Sequence, residues 1–129
     1  MRLKMTTYQK GSRAERELIE YFSGKGYSVI RAAGSGVSSL SPDMLLFKQG
    51  AQYAIESKAH ETTSLQIPKD QFEGLKKWQE NTGITSLVAW RRNRLGWRFI
   101  PFHLFEENEK SYSFPWSKAD LIGKKLEEF

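Results

Sequence analysis

Two apolar segments joined by a short turn constrain the fold of this chain most strongly. They cover residues 43–47 and 52–58, and the linking residues Lys48-Gln49-Gly50-Ala51 are typical of a β-hairpin turn. We therefore predict two adjacent antiparallel strands. In such a pair the start of the first strand lies beside the end of the second, so the hairpin brings distant parts of the sequence together.

Helical periodicity flanks this hairpin on both sides. Residues 11–24 carry apolar side chains at helical spacing, and Ser12 stands where it can cap the helix. Residues 68–82 form a second predicted helix, with Pro68 in its first turn and Gly83 just beyond its end. The chain therefore alternates helical and extended segments.

Shorter apolar segments complete the predicted sheet. Strands are expected over residues 27–31, 86–91 and 97–101. This order of helix, strands, helix and further strands predicts an α/β fold, in which a central mixed β-sheet is flanked by helices.

The length of the chain suits a single domain. Its 129 residues, with a hydrophobic fraction of 39%, can build one packed core. Within a single domain over residues 1–129 we expect a basic N-terminal arm (1–10), a core (about 11–105) and a C-terminal extension (106–129). A last helix is predicted over residues 118–129.

The net charge favours a polyanionic partner. A formal charge of +5 at pH 7 makes nucleic acid the first candidate and a membrane surface the second. On charge alone, a merely soluble basic protein is an equal alternative.

The absence of cysteine limits the metal chemistry. With Cys 0 and His 2, a metal ion has to be bound by oxygen ligands or by the two histidines, which favours hard cations such as Mg²⁺. No apolar run approaches the ~20 residues of a membrane span, so we expect no membrane association and a cytoplasmic location.

Glu15 is an unusual residue in the first predicted helix. It falls near the middle of the apolar stripe formed by Ala14, Leu18 and Phe22, the face that should turn inward. A carboxylate there needs a partner. The alternative is that Glu15 lies at the edge of the stripe, near the helix start, where the helix dipole favours it.

Asp43, Glu56 and Lys58 are the residues best suited to chemistry. Each has an ordinary explanation alone, because Pro42-Asp43 is typical of a turn and Glu56-x-Lys58 of a surface ion pair. The two-residue period of a strand, however, puts Glu56 and Lys58 on one face. Two carboxylates that can bind Mg²⁺, beside a cation that can offset charge on phosphorus, indicate phosphodiester hydrolysis.

The spacing of these residues, behind a helix that bears Glu15, resembles the PD-(D/E)xK nuclease superfamily. Three segments resemble the archaeal Holliday junction resolvases more closely: KGSRAEREL at 10–18, VIRAAGS at 29–35 and GWRFI at 96–100. The resemblance spans roughly residues 10–101. It implies a restriction-endonuclease-like nuclease core that acts on four-way junction DNA.

The resemblance also implies an assembly and a cofactor. A homodimer would nick opposing strands of the junction symmetrically, and each site would use Mg²⁺, with Mn²⁺ able to substitute. By position, Glu15, Asp43 and Glu56 would be the acidic catalytic residues that bind the metal ion, and Lys58 would be the basic catalytic residue that orients water or stabilises charge. A loop serine belongs to the family's site, and Ser35 matches it by position; alternatives in the same loop are Ser38, Ser39 and Ser41.

Arginines cluster near these segments and are predicted to contact DNA phosphates without reading sequence. The predicted contacts are Arg16, Arg31, Arg91 and Arg98. Arg92 and Arg94 could also contact phosphate, or could simply be solvated on an exposed hairpin.

Three polar residues and one aromatic group have weaker predicted roles. Gln71 could approach the site from the second helix, as a helical glutamine does in related nucleases. His60 could contact DNA or act as a base, and His103 is assigned to structure. The aromatic and apolar residues from Phe99 through Phe105, with Trp90 and Trp97, could form either the dimer surface or ordinary core.

Two other functions remain open on sequence alone. One is a restriction or repair nuclease of the same fold that acts on duplex or flapped DNA. The other is a non-catalytic DNA-binding module, although acidic groups facing phosphate would weaken such a module.

Overall fold

The computed structural model describes residues 6–32 and 41–129. Its first helix, α1 (Thr7–Gly24), begins four residues before the predicted start. The reason is a capping box: the Thr6 side chain accepts from the Gln9 main-chain N–H, and the Gln9 side chain accepts from the Thr6 N–H. Ser12 therefore lies inside the helix, and the prediction that it is the cap is wrong.

The central sheet has five strands in the order β1-β2-β3-β5-β6. Their bounds are β1 Ser28–Arg31, β2 Met44–Lys48, β3 Ala51–Ala59, β5 Thr85–Arg92 and β6 Gly96–Pro101. All neighbours are antiparallel except β3 and β5, which are parallel. The predicted mixed sheet and the β2–β3 hairpin are both confirmed. Gln49 and Gly50, with φ of 47° and 91°, form the two-residue turn.

The parallel pair β3 and β5 requires a crossover, which contains helix α2 (Lys69–Thr82). Pro68 is its N-cap, and Gly83 ends it in the left-handed conformation with φ of 70°. The predicted helix over 68–82 is confirmed to within one residue. Both ends were predictable because each is set by a single residue, Pro68 at the start and Gly83 at the end.

A second, smaller sheet was not predicted. It contains β4 (Ser64–Pro68), β7 (Glu106–Glu107) and β8 (Ser111–Pro115) in the order β4-β8-β7. The C-terminal segment continues as α3 (Trp116–Ile122) and a short 3₁₀ turn (Leu126–Glu128). The predicted helix over 118–129 is therefore wrong in its bounds.

The central sheet separates two apolar clusters. One lies under α1 and includes Leu18, Phe22, Met44 and Ile55. The other joins α2, the small sheet and α3 on the opposite face. Residues of the C-terminal segment are part of this second cluster: Tyr112, Phe114, Trp116 and Ala119.

The aromatic residues near β6 belong to these clusters. Trp90, Phe99 and Ile100 are fully or almost fully buried within a single chain, and Trp97 and Phe102 are only 3% exposed. These aromatic residues are therefore ordinary core, whereas Leu104 in the same segment is 41% exposed.

The helices in the part of the chain that the structure describes are all too short or too polar to cross a membrane.

Candidate active site

Asp43 and Glu56 face each other across the β2–β3 hairpin. Met44 pairs with Ile55 in this antiparallel ladder, so the residues next to them in the chain, Asp43 and Glu56, lie opposite each other. The two carboxyl groups are in hydrogen-bonding contact. The Ser57 main-chain N–H donates to Asp43 Oδ2 across 2.8 Å. The hairpin register thus joins the two predicted acidic residues.

Lys58 and Gln71 complete this group from two different elements. Lys58 Nζ lies 3.6 Å from Glu56 Oε2, on the same face of β3. Gln71 Nε2, in the first turn of α2, donates to the same oxygen across 3.0 Å. The sequence-based expectation that Gln71 approaches the site from the second helix is confirmed.

Burial makes this pair of carboxyl groups hard to ionise. It raises the pKa of Glu56 to about 8, and the neighbouring Asp43 charge raises that pKa in the same direction, while Lys58 lowers it. Burial also raises the pKa of Asp43, against the lowering effect of the Ser57 N–H. Without a cation the pair therefore retains a proton at neutral pH.

Glu15 lies near this pair but has a different partner. Its Oε2 accepts from Arg31 Nη2 across 3.1 Å, and its side chain is 19% exposed against 58% for Arg31. Its negative charge still raises the pKa of Asp43, so the two carboxylates are electrostatically coupled. Glu15 is thus partly buried and has a partner, and that partner is an exposed arginine.

The Asp43–Glu56 pair suits a hard divalent cation. It offers oxygen donors in a buried setting where two like charges repel, and a cation would relieve that repulsion. Within residues 6–32 and 41–129, however, no three His, Asp or Glu side chains are arranged to bind a metal ion. The described structure therefore contains a two-carboxylate group and not the predicted three-carboxylate cluster with Glu15.

Four serines were candidates for the loop serine of the site, and one of them lies within the described residues. Ser35, with its alternatives Ser38 and Ser39, lies outside the described residues. Ser41 is described and is exposed to solvent.

The four arginines predicted to contact DNA have different surroundings. Arg16 is exposed on α1, and Arg31 is exposed beside Glu15. Arg91 is half-buried between Glu17 and the side chain of Asn93. These three keep part of their surface accessible to a ligand.

Arg98 differs from the others because it is buried, with 7% of its surface exposed. Its Nη2 donates to Asp120 across 2.7 Å, and its Nη1 donates to the carbonyls of Leu95 and Trp97. Its guanidinium also lies over the Trp116 ring at 5.1 Å. Both Nη atoms are engaged inside the fold, whereas the buried Nε has no hydrogen-bond partner. This buried environment points to a structural role for Arg98 and not to a contact with DNA.

The histidines also differ in their surroundings. His60, just beyond β3, is partly buried, and burial together with the charges of Lys58 and Lys10 lowers its pKa. Its carbonyl accepts from Trp90 Nε1 across 2.9 Å. His103 is exposed in a short 3₁₀ turn.

Two acidic residues have partners that the sequence did not predict. Glu17, whose side chain is 45% exposed, accepts from Trp97 Nε1 across 2.7 Å. Glu61 binds residues of α1 and of the β5–β6 turn at once. Both contacts join residues far apart in the chain, so no local pattern indicates them.

The fold of this chain is that of a restriction-endonuclease-like nuclease. The solved structure of a bacterial homing endonuclease aligns with a TM-score of 0.54 over 87% of this chain and 77% of that chain. At 14% sequence identity, this likeness concerns the fold alone.

Comparison with a family model and with relatives that match most of the chain identifies the family. The family model described as archaeal Holliday junction resolvase (hjc) matches residues 6–129, and the chain belongs to that family. The crossover junction endodeoxyribonuclease Hjc of Archaeoglobus fulgidus is 32% identical over 127 residues, which cover 92% of this chain and 93% of the relative. The solved structure of the Archaeoglobus fulgidus resolvase gives a TM-score of 0.80 over 92% of this chain and 93% of that chain.

Proposed function

We propose that this chain is a Mg²⁺-dependent endonuclease that resolves four-way DNA junctions by paired symmetric nicks. The observation that carries the proposal is the contact between the half-buried carboxyl group of Asp43 and the buried one of Glu56, with Lys58 beside them. Family membership supports the junction substrate, because the relative from Archaeoglobus fulgidus is named as a crossover junction endodeoxyribonuclease.

Asp43 and Glu56 would bind the metal ion, with Glu15 supporting the water network next to it. Magnesium, when bound there, supplies a Lewis acid that favours water ionisation and offsets phosphate charge. Lys58 adds a fixed positive charge that stabilises the anionic phosphorus centre or orients the attacking water. Gln71 would orient the Glu56 carboxylate, because its amide donates a hydrogen bond to Oε2.

Three exposed or half-buried arginines would guide the DNA arms. Arg16, Arg31 and Arg91 lie on α1, at the end of β1 and at the end of β5. Contacts to phosphate position the duplex without reading its sequence, which suits an enzyme that recognises shape.

The active assembly would be a homodimer. Each chain carries one Asp43–Glu56 pair, so two nicks on opposing strands require two copies, and a two-fold axis would match the symmetry of the junction. A cytoplasmic location is part of the same proposal.

A substrate competition assay tests this function. Purified protein is offered equimolar four-way junction, flap and linear duplex, each with a distinct label, in Mg²⁺, Mn²⁺ or EDTA. We expect paired symmetric nicks in the junction with Mg²⁺ or Mn²⁺ and none in EDTA. Preferential cutting of linear or flapped DNA would support the restriction or repair alternative, whereas tight junction binding without nicking would support the binding module.

A further inference from the structure

The side chain of Glu61 lies in a cationic cradle between α1 and the β5–β6 turn. Lys10 Nζ donates to Glu61 Oε2 across 2.7 Å. The Asn93 main-chain N–H donates to both carboxylate oxygens, across 3.0 Å and 3.2 Å. An ammonium and a main-chain N–H that converge on two oxygens of one anion are a common phosphate-binding arrangement.

Arg92 adds a fixed positive charge to this cradle. Its Nη2 donates to the Glu61 carbonyl across 3.1 Å, and its guanidinium lies over the Trp116 ring at 5.3 Å. Burial raises the pKa of Glu61, but the hydrogen bonds from Lys10 and Asn93 N–H and the charge of Arg92 outweigh it and lower that pKa overall. The donors and charges of the cradle thus favour the ionised form of this carboxyl.

The cradle is close to the candidate active site. Glu61 follows Lys58 by three residues, which span at most about 11 Å of extended chain. Lys58 and Lys10 both act on the pKa of His60, the residue between the two sites. A DNA strand whose phosphate reaches Asp43 and Glu56 can therefore present another phosphate to the cradle.

We propose that Glu61 occupies a binding site for a DNA backbone phosphate and is displaced when DNA binds. This inference rests on the proposed function, and it assigns Lys10, Arg92 and the Asn93 N–H as phosphate contacts. The Glu61 side chain is 40% exposed and that of Lys10 28%, so water can replace their mutual contact at low cost. A phosphate brings a full negative charge to the same donors, and its binding releases counterions from DNA.

The competing explanation is that Glu61 only fastens α1 to the β5–β6 turn. The two explanations predict opposite effects of removing its charge. If Glu61 competes with DNA phosphate for the same donors, removing its charge should strengthen DNA binding. If Glu61 only holds α1 and the β5–β6 turn together, removing its charge should weaken DNA binding or leave it unchanged.

The test compares Glu61→Gln with Glu80→Gln, which removes the same charge from an exposed position on α2. Affinity for a labelled four-way junction is measured by fluorescence anisotropy in EDTA, so that no strand is cut. We expect Glu61→Gln to bind about five-fold more tightly than the wild type and Glu80→Gln to change affinity less than about two-fold. Circular dichroism checks that both variants are folded at the assay temperature.

Lys10→Gln provides the second comparison. In this background the gain from Glu61→Gln should become smaller, because the released Lys10 ammonium is one of its causes beside Arg92 and the Asn93 N–H. A Glu61→Gln chain that binds no more tightly than Glu80→Gln, or a gain that is undiminished without Lys10, overturns the proposal. If Glu61→Gln fails to fold, Glu61→Asp, which keeps the charge but shortens the side chain, takes its place with a smaller expected gain.

Nicking by the wild type in Mg²⁺ is scored separately, so failure of the proposed function is distinguishable from failure of this inference.

Discussion

Gln71 Nε2 donates a hydrogen bond to Glu56 Oε2 across 3.0 Å, which joins the first turn of α2 to the end of β3. Glu56 is 5% exposed, so a Glu56 oxygen without a hydrogen-bond partner would destabilise the fold. The Gln71 amide is a neutral donor that does not titrate, so it can donate at any pH. The same oxygen also lies 3.6 Å from Lys58 Nζ. One side of the Glu56 carboxylate is thus occupied by the protein itself.

Replacing Gln71 by leucine should slow cutting without weakening DNA binding. The variant leaves Glu56 free to rotate, and we expect a loss of about ten-fold in the single-turnover rate at saturating enzyme. Gln52→Leu, on the exposed part of β3, is the control. An unchanged rate in Gln71→Leu would show that Lys58 alone orients Glu56.

Asp43→Asn should abolish junction cutting while leaving junction affinity within about two-fold of the wild type. The amide oxygen can still accept from the Ser57 N–H, so the hairpin is preserved, but the charge that would bind Mg²⁺ is lost. Gel-shift titration measures binding, and a labelled-strand assay measures cutting. Cleavage at the wild-type rate would exclude Asp43 from the mechanism.

Stability of the metal-free protein should fall as pH rises from about 4.5 to about 8. The pKa of Glu56 is raised from 4.5 to about 8, so between these values the folded chain retains a proton that the unfolded chain releases. Its stabilising contribution is complete below the unfolded pKa and is lost as pH rises through the folded pKa. Asp43, whose pKa is also raised, acts in the same direction.

Urea unfolding in EDTA at several pH values measures this effect. The slope due to one group is at most about 1.4 kcal/mol per pH unit, and Glu56→Gln should flatten the profile. Glu80→Gln should retain the wild-type slope. A profile that is identical in the wild type and in Glu56→Gln would contradict the raised pKa.

Mg²⁺ binding near pH 7 should release a proton. A cation requires the ionised form of a pair that otherwise retains a proton, so binding and deprotonation are linked. Calorimetric titration in two buffers of different ionisation enthalpy gives the number of protons, which we expect to approach one per ion and to fall above pH 8.5. Binding heats that are independent of the buffer would exclude this linkage.

Arg98→Met should destabilise the fold by about 2 kcal/mol and leave the salt dependence of junction binding unchanged. The change removes a buried guanidinium and leaves Asp120 and two carbonyls without their donor. Arg31→Met, at an exposed position, should instead lower the slope of log affinity against log salt by about one. A reduced slope in Arg98→Met would restore Arg98 to the DNA surface.

The features that were predicted well from sequence depend on residues close together in the chain. The hairpin follows from its turn residues, and α2 follows from Pro68 and Gly83. The acidic pair was predictable for the same reason, since a tight hairpin leaves little freedom in its register.

The features that were missed depend on contacts between distant segments. Leu65 of β4 pairs with Phe114 of β8, and neither segment carries a strand pattern long enough to recognise. Arg98 appears in the sequence as one of several basic residues near a turn, yet Trp116 and Asp120 of the C-terminal segment cover it. No local pattern indicates the partners of Glu17 and Glu61 either, because Trp97 and Asn93 reach them only in the folded chain.

The sequence by itself determined the β2–β3 hairpin and the meeting of Asp43 with Glu56, because alternation and turn chemistry act over a few residues. Only the tertiary structure decided which charges became buried and which oxygen each donor reached. Those outcomes depend on how α1, α2 and the C-terminal segment pack on the sheet, and packing is a property of the whole chain and not of any one segment.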